Sequence, residues 1–178
     1  MNTYWLSAEA FSAACEALPL VSLDLCLNRP GPQGPELLLG LRTNPPARGF
    51  WFTPGGRVRK NEPMANAFDR LARDELGLSG HWLQRAVLMG AWDHFYPDSA
   101  FDLSVSTHYV NLPYWLDLSA QEAATLALPC SGDDGDAPGR YAGQHARWRW
   151  QPLTQAAADP SVHAYARTYA EWVLKRIG

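Results

Sequence analysis

Gly56 is followed after five residues by Glu62, and after seven more by Arg70, with Asp74, Glu75, Gly77 and Leu78 closing the run. This stretch constrains the chain more than any other. Pro54, Gly55 and Gly56 predict a turn where the backbone can approach a ligand closely, because glycine has no Cβ. Pro63 suits the first turn of the helix that follows, and Met64, Ala67, Phe68, Leu71 and Leu76 form its apolar stripe. The polar face then places Glu62, Arg70, Asp74 and Glu75 within about two turns of one another. Oxygen ligands gathered in this way suit a hard divalent cation such as Mg²⁺ on a pyrophosphate. The plainer reading is an amphipathic helix with a solvated charged face, but the double glycine, both helix ends and the flanking strands weigh against it.

The rest of the chain reads as alternating helices and strands. Ser7 caps a short helix to about Ala17, and Pro19 stops it. Leu20 to Leu27 reads as a half-buried strand, and the turn from Arg29 to Glu36 returns it as a hairpin with Leu37 to Leu41. A stiff loop from Thr43 to Gly49 carries Pro45 and Pro46, and Phe50 to Thr53 and Arg57 to Val58 flank the glycines. Two long strands are predicted over Ala86 to Phe95 and Val105 to Leu116, joined by a loop from Tyr96 to Leu103. A helix over Ser119 to Leu128, a Gly- and Asp-rich loop from Pro129 to Gly143, a strand over Arg147 to Gln151 and a helix over Val162 to Ile177 complete the reading. At 178 residues, 47% of them hydrophobic, residues 1–178 fit one domain with a sizeable core.

Charge and cysteine usage narrow the partners. A net charge of -3 argues against a sequence-blind grip on nucleic acid, although arginines and aromatics mix between Arg140 and Arg149. Trp148 and Trp150 read as the core face of a strand. Cys15, Cys26 and Cys130 show no paired spacing, which fits buried thiols in a reducing cytoplasm. No signal peptide and no membrane-spanning run is read.

The helix and its glycine turn resemble the box of the Nudix hydrolases, and this implies an α/β fold in which a mixed β-sheet is sandwiched between α-helices. One departure bears on subclass. Where the box ending begins Arg-Glu, this chain has Arg70 and Leu71, and Asp74 stands where the family has a glutamate. With a ligand lost, fewer metals and a base elsewhere are expected.

Further stretches resemble the GDP-mannose mannosyl hydrolase branch: Pro19 to Leu25, Leu38 to Pro46, Gly49 to Val58, Arg70 to Leu78, Trp92 to Asp98, Thr107 to Val110, and Gln144 with His145. The resemblance implies that the Gly55 carbonyl, Glu75 and Gln144 hold one Mg²⁺ per subunit, with Mn²⁺ as a substitute. His145 is then the general base for water attack on the anomeric carbon of a GDP-sugar, releasing GDP and a free hexose. Arg57 and Arg42 meet the diphosphate, Tyr109 and Asp24 support the leaving group and the charge of the site, and Arg70 completes the catalytic set. Trp5, Leu6 and Phe11 fall where the branch contacts the nucleotide, with His94 nearby. A homodimer is also implied.

Read without the resemblance, His145 beside a glycine-rich loop is an exposed loop histidine, and His94 and His108 are hydrogen-bonded strand residues, with His81 and His163 structural. Asp24 is a buried carboxylate that needs a partner. Two other functions stay open. A conventional pyrophosphohydrolase would cut at phosphorus and use Asp74, and a nucleotide-sugar sensor would keep the fold without the metal ligands.

Overall fold

The computed structural model describes residues 6–130 and 144–178. Trp5 and most of the Pro129 to Gly143 loop, including Arg140, lie outside the described residues. An eight-stranded mixed sheet forms the middle layer: β1 (Leu20–Arg29), β2 (Glu36–Arg42), β3 (Trp51–Phe52), β4 (Gly55–Arg57), β5 (Val87–Leu88), β6 (Trp92–Tyr96), β7 (Thr107–Asp117) and β8 (His145–Pro152). The helices are α1 (Ala8–Ala17), α2 (Met64–Leu76), α3 (Ala120–Ala123), α4 (Leu153–Ala158) and α5 (Ala164–Ile177), with a 3₁₀ turn over Trp82–Gln84.

Alternation along the central strands feeds two cores. Leu23, Leu25 and Leu27 of β1, with Leu38 of β2, pack against Ala67, Phe68, Leu71 and Leu76 of α2. On the other face Cys26, Leu37 and Leu39 meet Leu153 and Ala156 of α4 and Ala166, Tyr169, Ala170 and Val173 of α5. Covered on both sides, β1 is buried from Ser22 to Asn28, not half-buried as its sequence suggests. Trp148 and Trp150 do pack against the first core.

The sheet forks at the place that matters. β1 pairs with β2 only at Asn28 and Arg29, and its Ser22–Asp24 segment pairs instead with β4. On its other side β1 runs parallel to β7 from Leu20↔Tyr109 to Asn28↔Asp117. β2 leaves the fork to pair with β3 and β8. Between the diverging strands opens a cleft.

Several expected elements differ. Gly55 and Gly56 are ladder residues of β4, where the expectation was a turn. Thr53 and Pro54 make the break, and a Cβ on Gly55 would strike the Leu23 carbonyl and the Asp24 carboxylate. Pro63 is the N-cap of α2 and not a first-turn residue, and Gly77, at φ 66°, ends the helix as expected. The strand predicted from Ala86 to Phe95 is cut in two at Gly90, whose φ of 130° turns the chain between β5 and β6. α3 stops after one turn because Thr125 Oγ1 takes the Glu122 carbonyl (2.7 Å) and Ala127 N–H donates to Leu76 O of α2 (3.0 Å). α4 was not anticipated, and the last helix starts at Ala164 under a His163 cap. Among the described residues no helix is long and apolar enough to cross a membrane.

Candidate active site

The cleft is lined by Asp24 of β1, Arg42 at the end of β2, Gly55 and Arg57 of β4, His94 of β6, Tyr109 of β7 and Gln144, with Leu6 and Phe11 at its rim. The fold therefore gathers most of the residues singled out in the sequence. His145 and Glu75 lie behind this lining.

The polar cluster on α2 divides. Arg70 grips Glu62 through Nε (2.6 Å) and Nη2 (2.9 Å) and donates a further bond to the Arg57 carbonyl (3.0 Å). Glu62 also accepts the Arg59 N–H (2.9 Å). Burial works against the Glu62 charge, but these bonds hold its pKa below the usual carboxylate value. Arg70 thus clamps the 57–62 loop onto the helix and does not face the cleft. Asp74 is on the outer side, paired with Arg73. The sequence reading of one four-residue polar face is corrected: only Glu75 points into the sheet.

Glu75 sits almost fully buried beside Gln144 and His145. Gln144 Nε2 donates to Glu75 Oε1 at 3.3 Å, and His145 Nδ1 lies 3.8 Å from Glu75 Oε2. Burial pushes Glu75 up to about 8, and Asp74 adds to this while Arg42 and Arg70 oppose it. Arg42, half-buried, donates from Nη1 to Gln144 Oε1 (2.8 Å) and from Nε to the Pro46 carbonyl (3.1 Å). Thr43 ties the Gln144 carbonyl to the end of β2 through its N–H (2.9 Å).

His145 is not the exposed loop residue its glycine-rich surroundings suggest. It opens β8 opposite Arg42, is 2% exposed, and packs on Trp148 at 4.3 Å between ring centroids. Gly40 makes the space, since a Cβ there would come within 2.6 Å of His145 Cγ. Burial and the Arg42 charge lower His145 to about 3, well away from the near-neutral value that suits a general base.

Asp24 has the partners its burial demands. Its Oδ2 accepts from Asn111 Nδ2 (2.8 Å) and from the Tyr169 hydroxyl (2.8 Å), which in turn meets His94 Nε2 at 2.9 Å. Burial raises Asp24 to about 7 even with those bonds. His94 is stacked on Tyr165 at 3.7 Å and 5°, and burial lowers it to about 3. Sequence reading missed Asn111 and Tyr169. An amide within the apolar run of β7, and a tyrosine on the stripe Ala166, Tyr169, Ala170 and Val173, were the available signals, since a buried amide or phenol needs a partner.

At the rim Arg57 lies over the Phe11 ring (5.3 Å), and Phe101 meets Phe11 edge-on at 5.4 Å. Tyr109 lies edge-on to Tyr96. Among the described residues no three His, Cys, Asp or Glu side chains cluster as a metal site. The expected donors are instead one carboxylate, one amide oxygen and one backbone carbonyl, all oxygen and suited to a hard cation. Glu75 fits such an ion, because its described contacts are an amide and a neutral imidazole. Gln144 keeps its oxygen on Arg42 and its NH₂ on Glu75, so it would serve as an oxygen ligand only with the Arg42 bond given up.

The sequence model of the NUDIX domain matches residues 22–173. The low-salt glycan biosynthesis protein Agl8 of Haloferax volcanii is 40% identical over 102 residues, covering 57% of this chain. The chain spans 61% of the length of that curated relative. Among solved structures, the NUDIX domain of Shewanella oneidensis NrtR complexed with ADP ribose superposes with a TM-score of 0.63 at 16% identity, covering 90% of each chain. A MutT NUDIX hydrolase from Burkholderia pseudomallei gives 0.60 at 23% identity, covering 88% of this chain and 98% of its own.

Proposed function

The chain belongs to the NUDIX family, and on that premise we propose that it hydrolyses a GDP-sugar, GDP-mannose or GDP-glucose, to GDP and free hexose by water attack at the anomeric carbon. The observation that carries this reading is the division of Glu62, just before α2, from Asp74 and Glu75 near its end. Glu62 is spent on Arg70 and Asp74 faces outward, so a single inward carboxylate, Glu75, is left beside Gln144. That set suits one metal ion and not several. The 40% identity to a glycan biosynthesis protein supports a sugar-linked substrate.

In this reading Gly55, Glu75 and Gln144 would hold Mg²⁺, or Mn²⁺ in its place. When bound, the ion would offset charge on the diphosphate. Arg42 and Arg57 line the cleft from opposite strands and supply fixed positive charge where the leaving GDP gains negative charge. Tyr109 and Asp24 face the same space, and Leu6, Phe11 and His94 bound the nucleotide; the resemblance adds Trp5, which lies outside the described residues. His145 is assigned as the base from its place at the start of β8 beside Glu75 and Gln144, and in that role it must be more basic with substrate and metal bound than burial and Arg42 leave it here. The protein acts as one domain over residues 1–178, as a homodimer in the cytoplasm. Cys15 and Cys26 are buried thiols, which fits that compartment, while Cys130 is only half-buried.

A second reading, cleavage at phosphorus, draws on Asp74, whose charge reaches Glu75. Hydrolysis of GDP-mannose with Mg²⁺ in ¹⁸O-labelled water separates the two. Label in the hexose with unlabelled GDP is expected; label in GMP or sugar phosphate would transfer the role to the acidic residues.

A further inference from the structure

The last helix reaches the cleft through one hydroxyl. Tyr169 of α5 is fully buried, yet its oxygen has three polar neighbours: Asn111 Nδ2 at 2.5 Å, Asp24 Oδ2 at 2.8 Å and His94 Nε2 at 2.9 Å. Two of the three belong to residues that line the cleft.

Donor counting decides how these bonds run. The ionised Asp24 carboxylate can only accept, so the Asn111 atom 2.8 Å from Asp24 Oδ2 is the amide nitrogen; the NH₂ faces Asp24 and Tyr169, and Ser22 Oγ, which can donate or accept, donates to Oδ1 on the other side (2.7 Å). Tyr169 therefore accepts from Asn111. Its single proton goes to the Asp24 carboxylate, which has none to give when ionised. The His94 nitrogen facing the same hydroxyl oxygen must then be a donor. Tyr165, four residues before Tyr169 and so on the same face of α5, stacks on the His94 ring at 3.7 Å and fixes its plane. Tyr165 is itself anchored to the Phe95 backbone, donating to its carbonyl (3.3 Å) and accepting from its N–H (2.8 Å).

We propose that Tyr169 is a positioning residue for the reaction: it fixes the Asp24 carboxylate in the cleft wall and holds His94 as the Nε2-protonated tautomer. Asp24 Oδ2 is saturated by Tyr169 and Asn111, while Oδ1 lies against Gly55, which with Gly56 is on the cleft lining. The ring of His94 then keeps Nδ1 as an acceptor. The kinetic consequence rests on the hydrolase reading above, and the tautomer does not.

Two measurements test this. In wild-type protein at about pH 9, above the value of about 7 to which burial raises Asp24, a long-range ¹H–¹⁵N correlation spectrum should show His94 protonated at Nε2. An Nδ1-protonated ring would overturn the proposal, and this arm needs no variant to fold. In Y169F the preference should be lost, kcat should fall about 10- to 100-fold, as for other residues that orient a reacting group, and KM should stay within about two-fold. D24N/Y169F should be no slower than D24N. An unchanged kcat in Y169F, or losses that multiply in the double variant, would reject the positioning role. A wild-type protein that hydrolyses no GDP-sugar but shows the Nε2 proton would overturn the proposed function and leave the tautomer assignment standing.

Discussion

The two buried glutamates around α2 are close to equal in exposure, with side chains 6% and 3% exposed for Glu62 and Glu75, and opposite in treatment. Glu62 has a guanidinium at 2.6 Å and a backbone N–H at 2.9 Å, and its charge is held. Glu75 has an amide at 3.3 Å and an imidazole nitrogen at 3.8 Å, and burial lifts it to about 8. The loop that leads into α2 is built for stability, and the far end of the helix is left short of positive charge. An under-compensated buried carboxylate is where a cation or a reaction is expected. Burial by itself does not mark function; the quality of the partners does.

The sharpest way to break this contrast is Glu75→Gln. Metal-dependent turnover should fall by well over about 100-fold, more than outer residues of a metal site cost, while the melting temperature without metal holds or rises. Steady-state kinetics and calorimetry check both. His145→Ala should lower kcat about 10²- to 10⁴-fold if the ring takes the proton, and undiminished turnover would remove it from that role. Arg70→Ala should act on the other end, costing about 3–5 kcal/mol of stability by stranding Glu62, as measured by denaturant unfolding.

The pH dependence should separate the two carboxylates by sign. Glu75 is raised in the folded state from 4.5 to about 8, so the folded protein binds the extra proton and stability falls as pH rises through that window, at up to about 1.4 kcal/mol per pH unit. Glu62 is lowered, so its contribution is present above pH 4.5 and is lost as pH falls below it. In metal-free buffer Glu75→Gln should flatten the alkaline limb and Glu62→Gln the acid limb. The smallest effect belongs to Asp74→Asn: its exposed pairing with Arg73 is worth about 0.2–1 kcal/mol. Turnover should hardly change if attack is at carbon. A large loss would favour attack at phosphorus.

Local signals carried far in the sequence. The Ser7 cap, the apolar stripe of α2, its Gly77 stop and the long β7 all follow from patterns within one element. The NUDIX fold was legible from the glycine-to-leucine spacing, and the match over residues 22–173 bears it out. The failures lie where tertiary contacts decide. Nothing near Ala86 to Phe95 reveals that Gly90 bends the strand against β7, and α3 is cut short by a bond to the distant end of α2. In the site, the need of Asp24 for a partner was readable, but the partner was not. Tyr169 is 145 positions away, and only the docking of α5 brings it there.

The parallel pairing of β1 with β7 also governs how the molecule is assembled in time. Ser22 and Asn111, bonded across that seam, are 89 positions apart, so the centre of the sheet closes only after a long intervening stretch of chain has been brought together. Loop-closure entropy is spent before the seam returns any energy, which slows folding toward the millisecond-to-second range of topologies rich in non-local contacts. Until then β1, buried from Ser22 to Asn28 in the finished fold, has unsatisfied edges and can pair with other chains. Yield on refolding should therefore depend on protein concentration, with the cleft appearing as the last event of folding.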